Sequence, residues 1–293
     1  MKPYLALAAV CLFWGTTYVA IRMALESFPP AILVSGRFII SGALLLAAAA
    51  ARGAHLPNGR ELGIAAVCGF LILGIGNGSL AWAELLIPSG LASLFITISP
   101  FWMVGIEAAF AGGERLHAPT IFGMLVGFAG TAMLVTPGLN SKNLGTDALV
   151  GFAITQVGVV AWAAGSIYQR RQPAKAHPVV TGAVQQLAAG LLFLPVAAMV
   201  PHASVAWSYR GVGAVIYLVV FGSIVGYSAY AYALDKLPVA VVSIYPYANT
   251  VVAVTLGWLI YREHFGAREA VAMAIIFAGV TVVKWQSRKL ARP

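Results

Sequence analysis

The chain has 293 residues, of which 60% are hydrophobic and 9% charged, with a formal net charge of +9. Soluble domains run near 25% charged, so this composition excludes a soluble enzyme and points to a polytopic membrane protein. Its basic residues sit at the ends of apolar segments, where they set topology against anionic lipid rather than bind nucleic acid.

A membrane span needs roughly 20 apolar residues, and the sequence predicts ten. They cover 3–25, 30–51, 61–86, 88–110 and 118–137, then, after a polar break at 138–147, 148–169, 177–199, 209–233, 238–261 and 267–286. The first is too long for a signal-peptide core and leads directly into further spans, so it reads as a retained helix. Almost no chain is left for a soluble domain. Cys11 and Cys68 both fall inside spans and offer neither a disulfide framework nor a metal spacing.

The second half repeats the first. Ala81, Ala83, Pro88 and Ser93 return as Ala231, Ala233, Pro238 and Ser243, and both prolines stand where a helix starts without needing an intrahelical donor. Trp14 and Arg22 have the spacing of Trp162 and Arg170. Phe128-Ala129-Gly130 returns as Phe277-Ala278-Gly279, and Glu114 as Glu263. The halves are 3–137 and 148–286. Five spans per half is an odd number, so the second half must lie inverted, an architecture typical of secondary transporters. With the N-terminus in the cytoplasm, Lys2, Arg52, Arg60, Arg115, Arg170, Arg171, Lys175, Lys236, Lys284, Arg288, Lys289 and Arg292 fall inside. Only Arg22, Lys142, Arg210, Arg262 and Arg268 fall outside. Both termini are therefore expected in the cytoplasm.

Phe13 to Tyr18 with Ile21-Arg22, then Arg37-Phe38, then Gly113 to Leu116 with Gly123 and Gly130, resemble motifs of the drug/metabolite transporter superfamily, in its ten-helix EamA-domain branch. The resemblance spans both halves. It implies export or exchange of amino acids and related metabolites across the inner membrane. The second half departs at its second helix, where Gln185 and Gln186 stand near the place of Arg37.

No enzyme motif appears: there is no HExxH, no GxSxG and no phosphate-binding glycine loop. His55, His117, His177, His202 and His264 lie apart, near loops or helix ends, so no metal or cofactor is expected. Polar residues inside the spans are the better guide to function. Arg37 lies about 10 Å below the outer edge, at the helical rise per residue. It either holds a substrate carboxylate or pairs with Glu84 or a helix-end carbonyl. The candidate pocket residues are Trp14, Thr17 and Tyr18 on the first span, Arg37 on the second, Asn77 and Trp82 on the third and Trp102 on the fourth. In the second half they are Trp162 and Ser166 on the sixth, Tyr227 and Tyr230 on the eighth, and Tyr245 and Asn249 on the ninth. Aromatic walls with a few amides and hydroxyls suit a small amphipathic solute, although aromatics facing lipid are the competing reading.

Gly74-x-x-x-Gly78, Gly123-x-x-x-Gly127 and Gly222-x-x-x-Gly226 allow close helix contact, taken here as packing within a monomer. Pro100, Pro195 and Pro246 should kink their spans. The expected function is export of amino acids, aromatic or apolar ones included, by alternating access. A phosphorylated-metabolite or sugar-nucleotide antiporter is the alternative, followed by a membrane-embedded enzyme or a non-transporting scaffold. The expected partners are the substrate and the bilayer. No acidic residue falls at the midplane, with Glu84 near the outer surface and Glu107 near the inner end of its helix, so uncoupled, facilitated transport is expected.

Overall fold

A computed structural model of the chain describes residues 1–54, 57, 59–87, 89–114, 117–135, 145–172, 178–201, 204–261 and 266–290. Pro88, Arg115, Lys142, Lys175, Arg262, Glu263 and Arg292 lie outside the described residues, as do His55, His177, His202, His264 and most of the break at 138–147.

The described residues are helical and contain no strand. α1 (Lys2–Leu25) and α2 (Pro30–Ala50) both begin with a proline in the first turn, where its missing N–H costs nothing. α3 (Gly59–Gly69) runs through a π-helical segment π1 (Phe70–Asn77) into α4 (Gly78–Ala83). α5 (Ser89–Ile96), α6 (Ser99–Ala109) and α7 (Ala118–Val135) complete the first half. The second half opens with α8 (Thr146–Arg171) and α9 (Pro178–Ala198). α10 (Tyr209–Tyr217), the π-helical segment π2 (Leu218–Tyr227) and α11 (Ser228–Lys236) follow. Ser208 caps α10, its Oγ accepting from the Gly211 N–H at 2.9 Å. α12 (Val239–Val242), α13 (Tyr245–Tyr261) and α14 (Ala267–Leu290) close the chain.

Among the described residues, seven helical runs are long and apolar enough to cross a membrane, and three shorter apolar helices lie at Ala118–Met133, Val239–Val252 and Ala270–Gln286. Large apolar side chains such as Leu5, Leu12, Leu44, Phe122, Leu125, Leu149 and Leu191 cover the outside. That is the surface a bilayer accepts and water does not. Pro100 and Pro246 do more than kink. The helix stops at Ile96 and at Val242, and each proline sits in the first turn of the next piece, α6 or α13. Pro195 leaves α9 continuous.

The halves interlock rather than sit side by side. α1 packs on α10, π2, α11 and α13, all from the second half. Its counterpart α8 packs on α3, π1, α4 and α6 of the first. α2 runs along α9, where Gly42 admits Ala183 and Leu187, and the Ser35 hydroxyl donates to the Gly190 carbonyl at 2.9 Å. α7 crosses α14 glycine on glycine: a methyl on Gly279 would meet the Gly123 carbonyl and Gly127 backbone. All three small-residue motifs thus lie where the halves meet: Gly74 and Gly78 against Phe193, Gly123 and Gly127 against α14 and Tyr247, and Gly222 and Gly226 against α1 and α2.

One end of the bundle is tied by charge. Arg171 Nη2 donates to Glu107 Oε1 at 2.9 Å, and Arg170 Nη1 donates to Glu114 Oε1 at 3.0 Å. The same Glu114 oxygen accepts the Val239 N–H at 2.8 Å, filling an orphan donor at the start of α12. Buried Glu107 is held in this ion pair and is not among the residues that line the cleft described below.

Candidate functional site

A cleft enclosing roughly 720 Å³ of atom-free space, part of it open to solvent, lies between the halves. Two π-helical segments shape it. π1 supplies Leu73, Gly76 and Asn77, and π2 supplies Gly222, Ser223 and Tyr227. A π-helical turn widens the backbone spiral and frees carbonyls from their usual partners, which is why such turns recur at functional sites. Here the Gly222 carbonyl accepts the Trp14 indole N–H at 2.9 Å. Neither segment was foreseen from sequence. The visible trace is the glycine pairs, Gly74/Gly78 and Gly222/Gly226, which read only as packing.

Arg37 is 6% exposed and reaches the cleft from α2. Its Nε donates to Ser223 Oγ at 2.7 Å, and its guanidinium carbon lies 4.9 Å from the Phe38 ring centroid. Among the described residues it forms no ion pair. The expected alternative partner, Glu84, is not bonded to it, since both Glu84 oxygens lack a hydrogen-bond partner. Arg37 therefore presents its remaining donors to the cleft. Gly222 makes this possible, because a methyl there would fall 2.7 Å from Arg37 Nη2.

Opposite stands an aromatic cluster. Trp14 meets Trp162 edge-on at 5.3 Å between centroids, Tyr245 at 5.2 Å and Tyr230 at 5.1 Å. Trp162 Nε1 donates to the Tyr230 hydroxyl at 3.0 Å, and Ser166 Oγ lies 2.7 Å from the same oxygen. The Thr17 hydroxyl is turned back onto the Trp14 carbonyl at 2.8 Å. With its amide nitrogen facing the Cys11 and Tyr245 carbonyls, 3.0 Å from each, Asn249 ties α13 to α1. Tyr227 donates to Gln185 Oε1 at 2.6 Å, and Gln185 Nε2 donates to Gln169. The glutamine that replaces the arginine in the second half thus serves the tyrosine wall.

Nine of the candidate residues line the cleft: Trp14, Thr17, Tyr18, Arg37, Asn77, Trp162, Tyr227, Tyr245 and Asn249. Ser166 and Tyr230 sit just behind, bracing Trp162. Trp82 is not at the cleft and packs on Phe193 at 5.6 Å. Trp102 is 42% exposed on the outside of the bundle, where its indole N–H donates to Gln156 at 3.3 Å. Reasoning from sequence missed Phe38, Ser99, Thr155 and Ser223 at the cleft.

A methyl on Gly226 would collide with the indole nitrogen of Trp14. Gly226→Ala is expected to displace that ring, costing about 1–3 kcal/mol of stability by overpacking. Thermal unfolding followed by tryptophan fluorescence should show a lower midpoint for this variant and none for Gly213→Ala, where a methyl meets nothing within 4 Å.

Among the described residues the chain is a helical bundle with an apolar exterior, cleft-lining polar groups and a buried cation, a build that suits a membrane transporter. The chain belongs to the EamA-like transporter family, whose model matches residues 1–136 and again 149–285. It is 34% identical over 281 residues to the uncharacterized inner membrane transporter YedA of Escherichia coli strain K12, covering 95% of this chain and 89% of the other. It is 27% identical over 261 residues to a protein of Streptantibioticus cattleyicolor named a probable terminal-alkyne amino-acid exporter, covering 88% and 86%. It is also 27% identical over 239 residues to one of Escherichia coli strain K12 named a probable amino-acid metabolite efflux pump, covering 78% and 76%. A solved crystal structure superposes with a TM-score of 0.79 over 99% of each chain at 25% identity.

Proposed function

We propose that this protein exports amino acids across the inner membrane by alternating access. Its ten spans would form two inverted halves, 3–137 and 148–286, with both termini in the cytoplasm, and it would work as a monomer without a cofactor. One observation carries the substrate class. The cleft pairs a single cation free of any carboxylate, Arg37, with a wall of Trp14, Trp162, Tyr18 and Tyr245. A zwitterion fits that pairing: its carboxylate takes the guanidinium fork, and its ammonium or apolar side chain takes the ring faces. The names of two relatives, an amino-acid exporter and an amino-acid metabolite efflux pump, agree with this class. A sugar nucleotide or phosphorylated metabolite carries more negative charge and calls for more than one cation. Arg37 is the only Lys or Arg among the described cleft residues.

The packing of α1 on the second half and of α8 on the first supports an exchange of two equivalent conformations. The end tied by Glu107–Arg171 and Glu114–Arg170 is then the cytoplasmic end, shut in this conformation. Counterflow of labelled amino acids in proteoliposomes tests the substrate. Trans-stimulated uptake of at least one apolar or aromatic amino acid is expected, and none for the entire panel would overturn the reading. The topology has its own test. Ser141→Cys and Lys236→Cys, each in a background lacking Cys11 and Cys68, are expected to react with an impermeant maleimide from opposite faces. Reaction of both from outside would overturn the inverted arrangement.

A further inference from the structure

Glu84 ends α4, one residue past the apolar run Gly59–Ala83. Its distance from Pro88 suggested an acid at the outer surface. The residue does keep partial exposure, yet both carboxylate oxygens are shut from solvent and neither has a hydrogen-bond partner. Acids elsewhere in the bundle are served differently: Glu107, Glu114, Glu26 and Asp235 each have a basic partner. A charge shut off from water is costly unless something pairs with it, so the geometry of this carboxyl calls for a proton or a cation.

The surroundings define what could change that state. From α1 the titratable and charged groups beside Glu84 are Tyr18 and Arg22. From α2 the titratable group is Arg37, engaged with Ser223, and from α8 it is Asp147, exposed in the first turn. Arg22 makes no ion pair among the described residues. Glu84 also stands next to the cleft. Leu80, one helical turn before it, lines the cleft, and so does Tyr18.

We infer that Glu84 is a proton-binding site that couples transport to the proton gradient. This rests on the transporter reading and stands against the expectation of uncoupled transport, whose premise was that no acid lies at the midplane. The carboxyl carries its proton in the present conformation. When the cleft opens to the cytoplasm, α1 brings Arg22 against it. The O–H bond then breaks, the electron pair stays on the carboxylate, Arg22 balances the charge, and the proton passes to water in the cleft. One proton enters as one substrate leaves.

Two measurements test this. Infrared spectra of the purified protein at neutral pH are expected to show the C=O stretch of a protonated carboxyl, lost in Glu84→Gln and kept in Glu26→Gln. Absence of that band from the unmutated protein would overturn the inference, whatever the substrate and however the variant folds. In proteoliposomes, an imposed gradient, acid inside, is expected to accumulate a labelled amino acid several-fold. A protonophore should abolish the accumulation, and Glu84→Gln should lack it. Counterflow without gradient-driven accumulation would overturn the coupling and leave the transporter reading intact. Absence of counterflow for every amino acid would instead count against the substrate class, and the infrared band would still decide the proton site.

Discussion

Arg37→Gln is expected to weaken amino-acid binding by on the order of 10- to 100-fold, the loss of one or two charge-assisted hydrogen bonds at roughly 1.5–3 kcal/mol. The glutamine amide can still reach the Ser223 hydroxyl that now accepts from Arg37 Nε, so the local packing survives and the loss falls on the ligand. Arg37→Lys is expected to recover little. Lysine carries the charge but not the planar fork that meets a carboxylate through two parallel bonds. Quenching of the buried tryptophans Trp14 and Trp162 on titration with the best amino acid from counterflow reads this directly. Trp102→Ala is the control. That ring lies on the outside of the bundle, bonded to Gln156, and its removal should leave the affinity unchanged. Equal loss in both variants would show that the cleft is not where the carboxylate binds.

The contrast between Trp14 and Trp102 also shows how far the sequence could be read. Both lie well inside apolar spans, and nothing local separates them. In a soluble helix the cleft face would stand out as a polar or apolar stripe, but in a bilayer the outside is as apolar as the inside, so the stripe vanishes. Seven long apolar helices and the burial of Arg37 were legible because their signals are local: the length of an apolar run, and one cation where cations are costly. Trp82 and Trp102 were misplaced because radial position is set by which helix packs on which. The π-helical segments were invisible for a related reason. Their glycines are small enough for close packing, and only the packed structure shows that Gly226 makes room for the Trp14 ring and Gly222 for the Arg37 guanidinium. For Glu84 the sequence carried only depth along the membrane normal, since counting residues from Pro88 does not say whether water reaches the side chain.

Arg171→Ala is expected to open the tied end of the bundle. Glu107 is 6% exposed, and its second oxygen already lacks a partner. Removing Arg171 therefore strands a buried charge, a change worth about 3–5 kcal/mol when a buried pair is broken from one side. The chain can relieve that cost by separating α6 from the end of α8 and letting water reach the carboxylate. A shift of even ~3 kcal/mol moves a two-state equilibrium by on the order of 100-fold, enough to change which conformation dominates. The partner pair gives less. Arg170 and Glu114 keep 26% and 32% side-chain exposure, so water already screens them, and breaking such a pair typically costs under about 1 kcal/mol. Glu114 has a second role, accepting the Val239 N–H, so Glu114→Gln should retain that bond and change the equilibrium only slightly. Cys68 is a native reporter. It is fully buried in α3, next to Gly69, whose missing side chain lets the Gln185 backbone approach. In a Cys11→Ser background, alkylation of Cys68 by N-ethylmaleimide is expected to be slow in the parent and at least about tenfold faster in Arg171→Ala, given the size of that shift. Glu107→Gln/Arg171→Gln, which removes both charges together, should fall between them, because no buried charge is left to drive the opening. Alkylation equally slow in all three proteins would mean that the Glu107–Arg171 pair does not hold this end shut.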